Sequence, residues 1–284
     1  ANKFGAVYYS PYYGNLKSKI PQIFSVHDMT HERFPNHFHN QLDFEFINQK
    51  KDCLHRAEAL LCVSNNTKND VLDIYPQIAR DKVTVIYNGI EDVFFTKPVE
   101  SQQNRPYFLF VGNRKKYKNF PLLLTSYKNS GLSKDFDLRI ISPTNDFPTE
   151  EEKRTIADLN IHAFLKFEHG LSDENLRDAY HNAIAFVFPS KYEGFGLPLI
   201  EAMASRTLVI AANASSLPEI GADVPLYFDP QSGDELTSRL VAAADMPNDM
   251  RRSRIESGAA LAQNFTWDKS KEAFVKIFMR YMLN

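Results

Sequence analysis

From Tyr107 onward the chain alternates short β-branched or aromatic runs with stretches carrying apolar residues at helical spacing, and this alternation constrains the fold most. The runs are YFLFV (107–111), LRII (138–141), FLKF (164–167), AFVF (185–188), LVIA (208–211) and LYF (226–228). Helical patterns lie between them over 120–129, 149–159, 173–183, 198–204 and 233–244, with Asp173 and Glu174 placed for a first turn. Strands and helices in such alternation signal βαβ units and a parallel sheet, so this half reads as a Rossmann-like α/β domain.

The first hundred residues repeat the style with fewer elements. Candidate strands are AVYY (6–9), IFSVH (23–27), LLCV (60–63) and VTVIY (83–87); helices are expected over 39–56 and 66–75, the latter opened by the N-cap candidates Ser64, Asn65 and Asn66. A chain of 284 residues has room for two such cores. The stretch from Glu91 to Pro106, which includes the polar, proline-bounded KPVESQQNRP (97–106), marks a linker. The expected division is a partial N-terminal Rossmann-like domain over 1–97, a second Rossmann-like domain over 98–266, and a C-terminal helix over 267–284 packing back toward the first. That helix carries one apolar stripe: Ala273, Phe274, Ile277, Phe278, Tyr281 and Met282.

A net charge of −2 argues against bulk nucleic-acid binding, so no nucleic-acid partner is expected. The two cysteines, Cys53 and Cys62, form neither a CxxC pair nor a zinc spacing, which fits a reducing compartment. With no signal-peptide pattern and no apolar run approaching ~18 residues, a cytoplasmic location is expected.

The chemistry concentrates in KYEGFGLPLIEAM (191–203), which follows AFVF and precedes a helix that Pro198 is suited to start. Gly194 and Gly196 therefore sit at a strand-to-helix turn, where backbone N–H groups and the positive helix end face outward and missing Cβ atoms let an anion approach. Glu193 on the loop and Glu201 one turn into the helix read either as clamps on vicinal hydroxyls or as a turn cap and a solvated helix residue. Upstream, VGNRKKYKNF (111–120) follows another strand of the same sheet. It reads as a solvated basic loop or as half of a diphosphate clamp, with Arg114 bidentate and Lys118 a point charge.

In company, these pieces resemble the retaining glycosyltransferases of family 4, whose architecture is GT-B: two Rossmann-like domains facing across a cleft. EGFGLPLIE looks like that family's E-x7-E motif. SVHDMTHERFP (25–35), CVSNNTKND (62–70), VIYNGIEDVF (85–94), GNRKKYKNF (112–120), SSLPEI (215–220) and FTW (265–267) fall in the family's order. The resemblance implies that Glu193 binds donor-sugar hydroxyls, Glu201 the nucleotide ribose, and Arg114 with Lys118 the diphosphate. It further implies main-chain amides from Phe195, Gly196 and Leu197 on sugar and phosphate. Gly112, Asn113 and Gly194 complete the donor loops, and His27 contacts the donor sugar from the N-terminal domain. The G-x-R-x-x-Y-K-N-F loop looks closest to bacterial O-antigen and capsule mannosyltransferases, which tilts the donor toward GDP-mannose. No metal and no resident cofactor are implied. The acceptor would be a glycan or lipid-linked glycan, with peripheral membrane contact at the cytoplasmic face left open; the alternative is a nucleotide-sugar binding module without transfer activity, or another GT-B enzyme such as an epimerase or phosphorylase.

Five features depart from the family or compete with this reading. Arg206 stands where members usually place a glycine after the motif helix, which puts the helix C-cap in doubt, and Asn113 stands where many carry arginine. The chain also begins without counterparts of the family's opening strand and Gly-rich acceptor loop, so a truncated N-terminal domain is expected. Asp135-Phe-Asp137 mimics a metal-binding DxD but is not in the predicted donor cleft, and NHFHN (36–40) offers two histidines that would suit a metal only if further ligands converge, and otherwise read as a solvated loop.

Overall fold

The computed structural model describes residues 6–14, 16, 18–38, 40–99, 105–144 and 147–282. In chain order the strands and helices begin β1 (Tyr8–Ser10), β2 (Gln22–Val26), α1 (Thr30–Arg33), α2 (Gln41–Arg56), β3 (Ala59–Cys62), α3 (Asn65–Ile74) and β4 (Val83–Val85). They continue β5 (Tyr107–Val111), α4 (Phe120–Asn129), β6 (Asp137–Ser142), α5 (Glu150–Asp158), β7 (Leu165–His169), α6 (Asp173–His181), β8 (Ala185–Phe188), α7 (Leu197–Ala204) and β9 (Val209–Ala212). The last are α8 (Leu217–Gly221), β10 (Leu226–Phe228), α9 (Gly233–Ala244), α10 (Asn248–Ala262) and α11 (Trp267–Met282).

The chain divides into two compact units: unit 1 spans 1–89, 193–195 and 265–284, and unit 2 spans 90–192 and 196–264. The break therefore falls after Gly89, ahead of the expected boundary near residue 98. The predicted linker starts at Glu91, close to this break, but its apolar residues belong to unit 2, where Phe94 is buried with its ring 6.3 Å from that of Tyr180. Part of the predicted linker, 100–104, lies outside the described residues.

In unit 1, β1–β4 pair in parallel in sequence order. Alternation along the strands turns Ile23, Leu61 and Ile86 to one face, where they form a core with Ile277 while Phe274, Phe278 and Tyr281 pack against it. Tyr9 meets Phe274 and Phe278 edge-on at 4.7 and 5.4 Å. The apolar stripe of α11 thus covers this face, and burial of Ile277 alone contributes roughly 2 kcal/mol. Cys53 and Cys62 are buried free thiols.

Unit 2 holds a six-stranded parallel sheet in the order β10-β9-β8-β5-β6-β7. The order reverses between β8 and β5, and in sheets of this kind ligands bind beyond the carboxyl ends of the strands at that reversal. β5 and β8 are almost wholly buried, as expected of central parallel strands reading as continuous apolar runs. Asp137 opens β6 at the opposite, amino-terminal edge, where Arg105 pairs with it at 2.9 Å, so the DxD mimic lies away from the switch point.

Helix α10 has no apolar stripe to announce it. It packs on α7 through small residues, with Gly258 close to Met203, and Arg254 Nη1 donates to Val224 O at 2.8 Å. Among the described residues no helix is long and apolar enough to cross a membrane.

Candidate active site

In unit 2, the loops after β5 and β8 leave neighbouring strand ends and are tied together where Lys191 N donates to Tyr117 O at 2.8 Å. Lys118 closes a 3-10 turn, and Asn119, at φ 60°, starts α4. The Lys118 ammonium lies over the rings of Tyr117 and Phe188, 5.5 and 5.7 Å from their centroids. The same Phe188 ring lies 3.6 Å from where a Cβ on Gly196 would sit. Lys118 and the start of α7 therefore converge on one aromatic ring at the switch point. Gly196 precedes α7 at φ +100°, a conformation that suits glycine alone, and Pro198 follows in the first turn. No side chain caps this helix, so its first-turn N–H groups present the positive end of the helix dipole.

One turn into α7, Glu201 accepts a hydrogen bond from Tyr180 Oη at 3.1 Å. Burial pushes its carboxyl up to about 7, the Tyr180 hydrogen bond pulls the other way, and the charge of Asp173 adds to the rise. Near neutral pH the group therefore exists in both forms, able to accept from a hydroxyl or to donate to one.

In unit 1, the residues Glu193–Phe195 pack against the end of β2 and the start of α3. The Gly194 carbonyl accepts from Ser64 Oγ at 2.6 Å and from Thr67 Oγ1 at 3.0 Å. A Cβ on Gly194 would sit 1.8 Å from His27 O. The Phe195 ring is buried, 6.0 Å from Tyr87 and 5.9 Å from Phe265 between centroids. His27 Nε2 is 2.7 Å from Pro11 O, and because a carbonyl only accepts, Nε2 carries the proton. The buried Lys50 holds the segment after His27 by donating to Asp28 O at 2.7 Å and Glu32 Oε2 at 2.9 Å. His27 also lines a cavity of about 470 Å³ with Tyr9, Ser25, Asn88, Trp267 and Lys271.

The family model for glycosyl transferases group 1 matches residues 94–260, more than half of the chain. This chain belongs to that family. Residues 3–93 match the model for glycosyltransferase family 4. Among curated proteins, the O-antigen chain mannosyltransferase RfbU of Salmonella typhimurium is 29% identical over 231 residues, covering 81% of this chain and 63% of that protein. The MMP alpha-(1->4)-mannosyltransferase of Mycolicibacterium hassiacum is 26% identical, covering 83% and 57%. The chain thus spans about three fifths of the length of these relatives. Of solved structures, sucrose-phosphate synthase from Thermosynechococcus elongatus aligns with a TM-score of 0.75 at 19% identity, covering 93% of this chain and 68% of that one. A glycosyltransferase from Rickettsia africae aligns at 0.72 and 19%, covering 94% and 72%. The fold is the GT-B type of α/β architecture, with two Rossmann-like sheets.

Three expectations for this group 1 glycosyltransferase change with the structure. Arg114 was expected to clamp a diphosphate, but its guanidinium is buried in unit 2. Nε donates to Glu152 Oε1 and Nη1 to Ser142 Oγ, both at 2.9 Å, and the Phe120 and Phe167 rings flank it. Glu152 is itself locked in the capping box of α5, so the arginine braces the loop from inside. Gly194 was assigned to ligand approach; the structure adds a second constraint, since the backbone of His27 leaves no room for a Cβ there. Arg206 put the C-cap of α7 in doubt, yet it adopts φ 60° and the Schellman bonds form, Thr207 N to Ala202 O at 3.0 Å and Arg206 N to Met203 O at 3.1 Å.

The remaining predicted residues take ordinary places. Gly112 leaves β5 at φ +134° with open space around it, Asn113 Oδ1 accepts from Lys115 N, and Leu197 is the first residue of α7. Glu193 is half-buried. Sequence reading missed Tyr180, whose only signal is an aromatic on the buried face of α6, and the hydroxyls of Ser64 and Thr67. Of the two histidines in NHFHN, His39 lies outside the described residues, and among those described no group of three could hold a metal.

Proposed function

We propose that the protein is a retaining hexosyltransferase that binds a nucleotide diphosphate sugar and transfers the sugar to a glycan or lipid-linked glycan without a metal ion. The convergence of Lys118 and the uncapped start of α7 on Phe188, with Glu201 one turn behind, carries this reading. Charge develops on the leaving diphosphate as its bond to the sugar stretches. A fixed ammonium and a helix N-terminus stabilise that charge more in the transition state than in the ground state. Glu201 holds the ribose hydroxyls, while Glu193 and His27 act on the donor sugar and the amides of Phe195, Gly196 and Leu197 face sugar and phosphate. Arg114 acts through the loop it braces. Mannose as the transferred sugar is supported by relatives named as mannosyltransferases, and GDP-mannose is the favoured donor.

Calorimetric titration with GDP-mannose, GDP, UDP-glucose and UDP in the presence of EDTA tests the reading, on the parent and on Lys118→Ala. Micromolar binding of the GDP compounds that weakens at least about tenfold in the variant supports a metal-independent donor site. Absence of binding by any nucleotide overturns it.

A further inference from the structure

The Gly194 carbonyl carries more hydrogen bonding than its burial demands. One donor would satisfy it, yet two hydroxyls, 130 and 127 residues away in sequence and both fully buried, converge on the same oxygen. Ser64 is the N-cap of α3, and its oxygen accepts from Thr67 N at 2.9 Å. Its single proton faces two acceptors, Gly194 O at 2.6 Å and Thr67 Oγ1 at 3.1 Å, and the shorter contact is the one to Gly194. Thr67 adds its own hydroxyl proton from the first turn of the same helix.

We infer that Ser64 and Thr67 are positioning residues for the turn that carries Glu193. By occupying both lone pairs of the Gly194 oxygen they fix the plane of the Gly194–Phe195 peptide. In a trans peptide the carbonyl and the following N–H point in opposite directions, so a carbonyl held toward α3 aims the Phe195 N–H away from it. The His27 backbone closes a second side, because it leaves no room for a Cβ on Gly194, and the Phe195 ring between Tyr87 and Phe265 closes a third. With the peptide plane held, the backbone at Glu193 enters from a fixed direction. This rests on the donor-site reading above, which gives Glu193 and the Phe195 amide roles at the donor sugar but assigns none to Ser64 or Thr67.

Thr67→Val separates positioning from capping, since it removes one hydroxyl from Gly194 and leaves the Ser64 cap on the Thr67 amide. Thr67→Ser restores the hydroxyl. In the full chain, Thr67→Val is expected to lower kcat for sugar transfer about tenfold while nucleotide affinity stays within about twofold, and Thr67→Ser to recover at least half of the parent kcat. Independently of activity, amide hydrogen exchange at 194–196 should accelerate about tenfold in Thr67→Val while the amide of Val71 inside α3 keeps its rate. Unchanged exchange at 194–196, or a lowered unfolding midpoint with unchanged kcat, would overturn the inference. If the parent binds no nucleotide, the donor reading fails on that result, and the exchange rates alone decide the role of the two hydroxyls.

Discussion

At the carboxyl edge of the unit 1 sheet the turn is held by uncharged bonds: two hydroxyls on the Gly194 carbonyl, and a glycine against the His27 backbone. At the carboxyl edge of the unit 2 sheet the groups are charged or titratable: Lys118 over Phe188, the uncapped start of α7, and Glu201 under Tyr180. Hydroxyl-to-carbonyl bonds fix a backbone without creating a field. A buried ammonium or carboxylate creates one, and stays charged only where something opposes it. The turn in unit 1 is built for shape and the edge of unit 2 for electrostatics, and the loop after β5 shows the same split between Arg114 and Lys118. Arg114 braces from inside while Lys118 stands at the strand ends.

Truncating these two cations separates the roles. Arg114→Ala leaves the Glu152 carboxylate buried without its partner, which costs roughly 3–5 kcal/mol of stability. Lys118→Ala should change stability by less than about 1 kcal/mol and lower turnover about 10³-fold. Urea denaturation beside turnover measurements reads both. A stable Arg114→Ala protein that has lost nucleotide binding would return the arginine to the ligand and erase the contrast.

Glu201 gives the next effect. With its folded value raised from 4.5 to about 7, the native state keeps a proton that the unfolded chain has lost between those values. The contribution of this group to the stability of unit 2 is thus greatest below pH 4.5 and declines as pH rises toward 7, by up to about 1.4 kcal/mol per pH unit. Glu201→Gln should flatten that decline. Parallel stability-versus-pH curves for parent and variant would show that the carboxyl is not held in a dry site.

The smallest effect concerns Arg206, held at φ 60° after α7. Glycine relieves that strain, so Arg206→Gly should stabilise the chain by about 1 kcal/mol, seen as a raised urea midpoint with turnover unchanged. A loss of stability would mean that the arginine side chain contributes more than its backbone costs.

Much of the fold is legible in the order of residues because buried parallel strands read as unbroken apolar runs, and YFLFV and AFVF coincide with β5 and β8 to the residue. Helices α4 and α9 likewise match their expected ranges, since their stripes and flanking residues agree. Helix α10 left no such mark, because small residues and arginine-to-carbonyl bonds hold it rather than a stripe.

By itself, then, the sequence determined two parallel α/β layers, and a glycine turn and a basic loop at strand ends, because strand and helix periods are local properties of the chain. Only the tertiary structure decided which cation of the basic loop is sequestered, since nothing local to VGNRKKYKNF tells Arg114 that Glu152 and Ser142 await it in the folded unit. It alone gave the two glycines different reasons to be glycine, positive φ at 196 and a neighbouring backbone at 194. It also buried Glu201, which raises the titration of that acid against the opposing Tyr180 hydrogen bond, a burial that spacing along the chain does not contain.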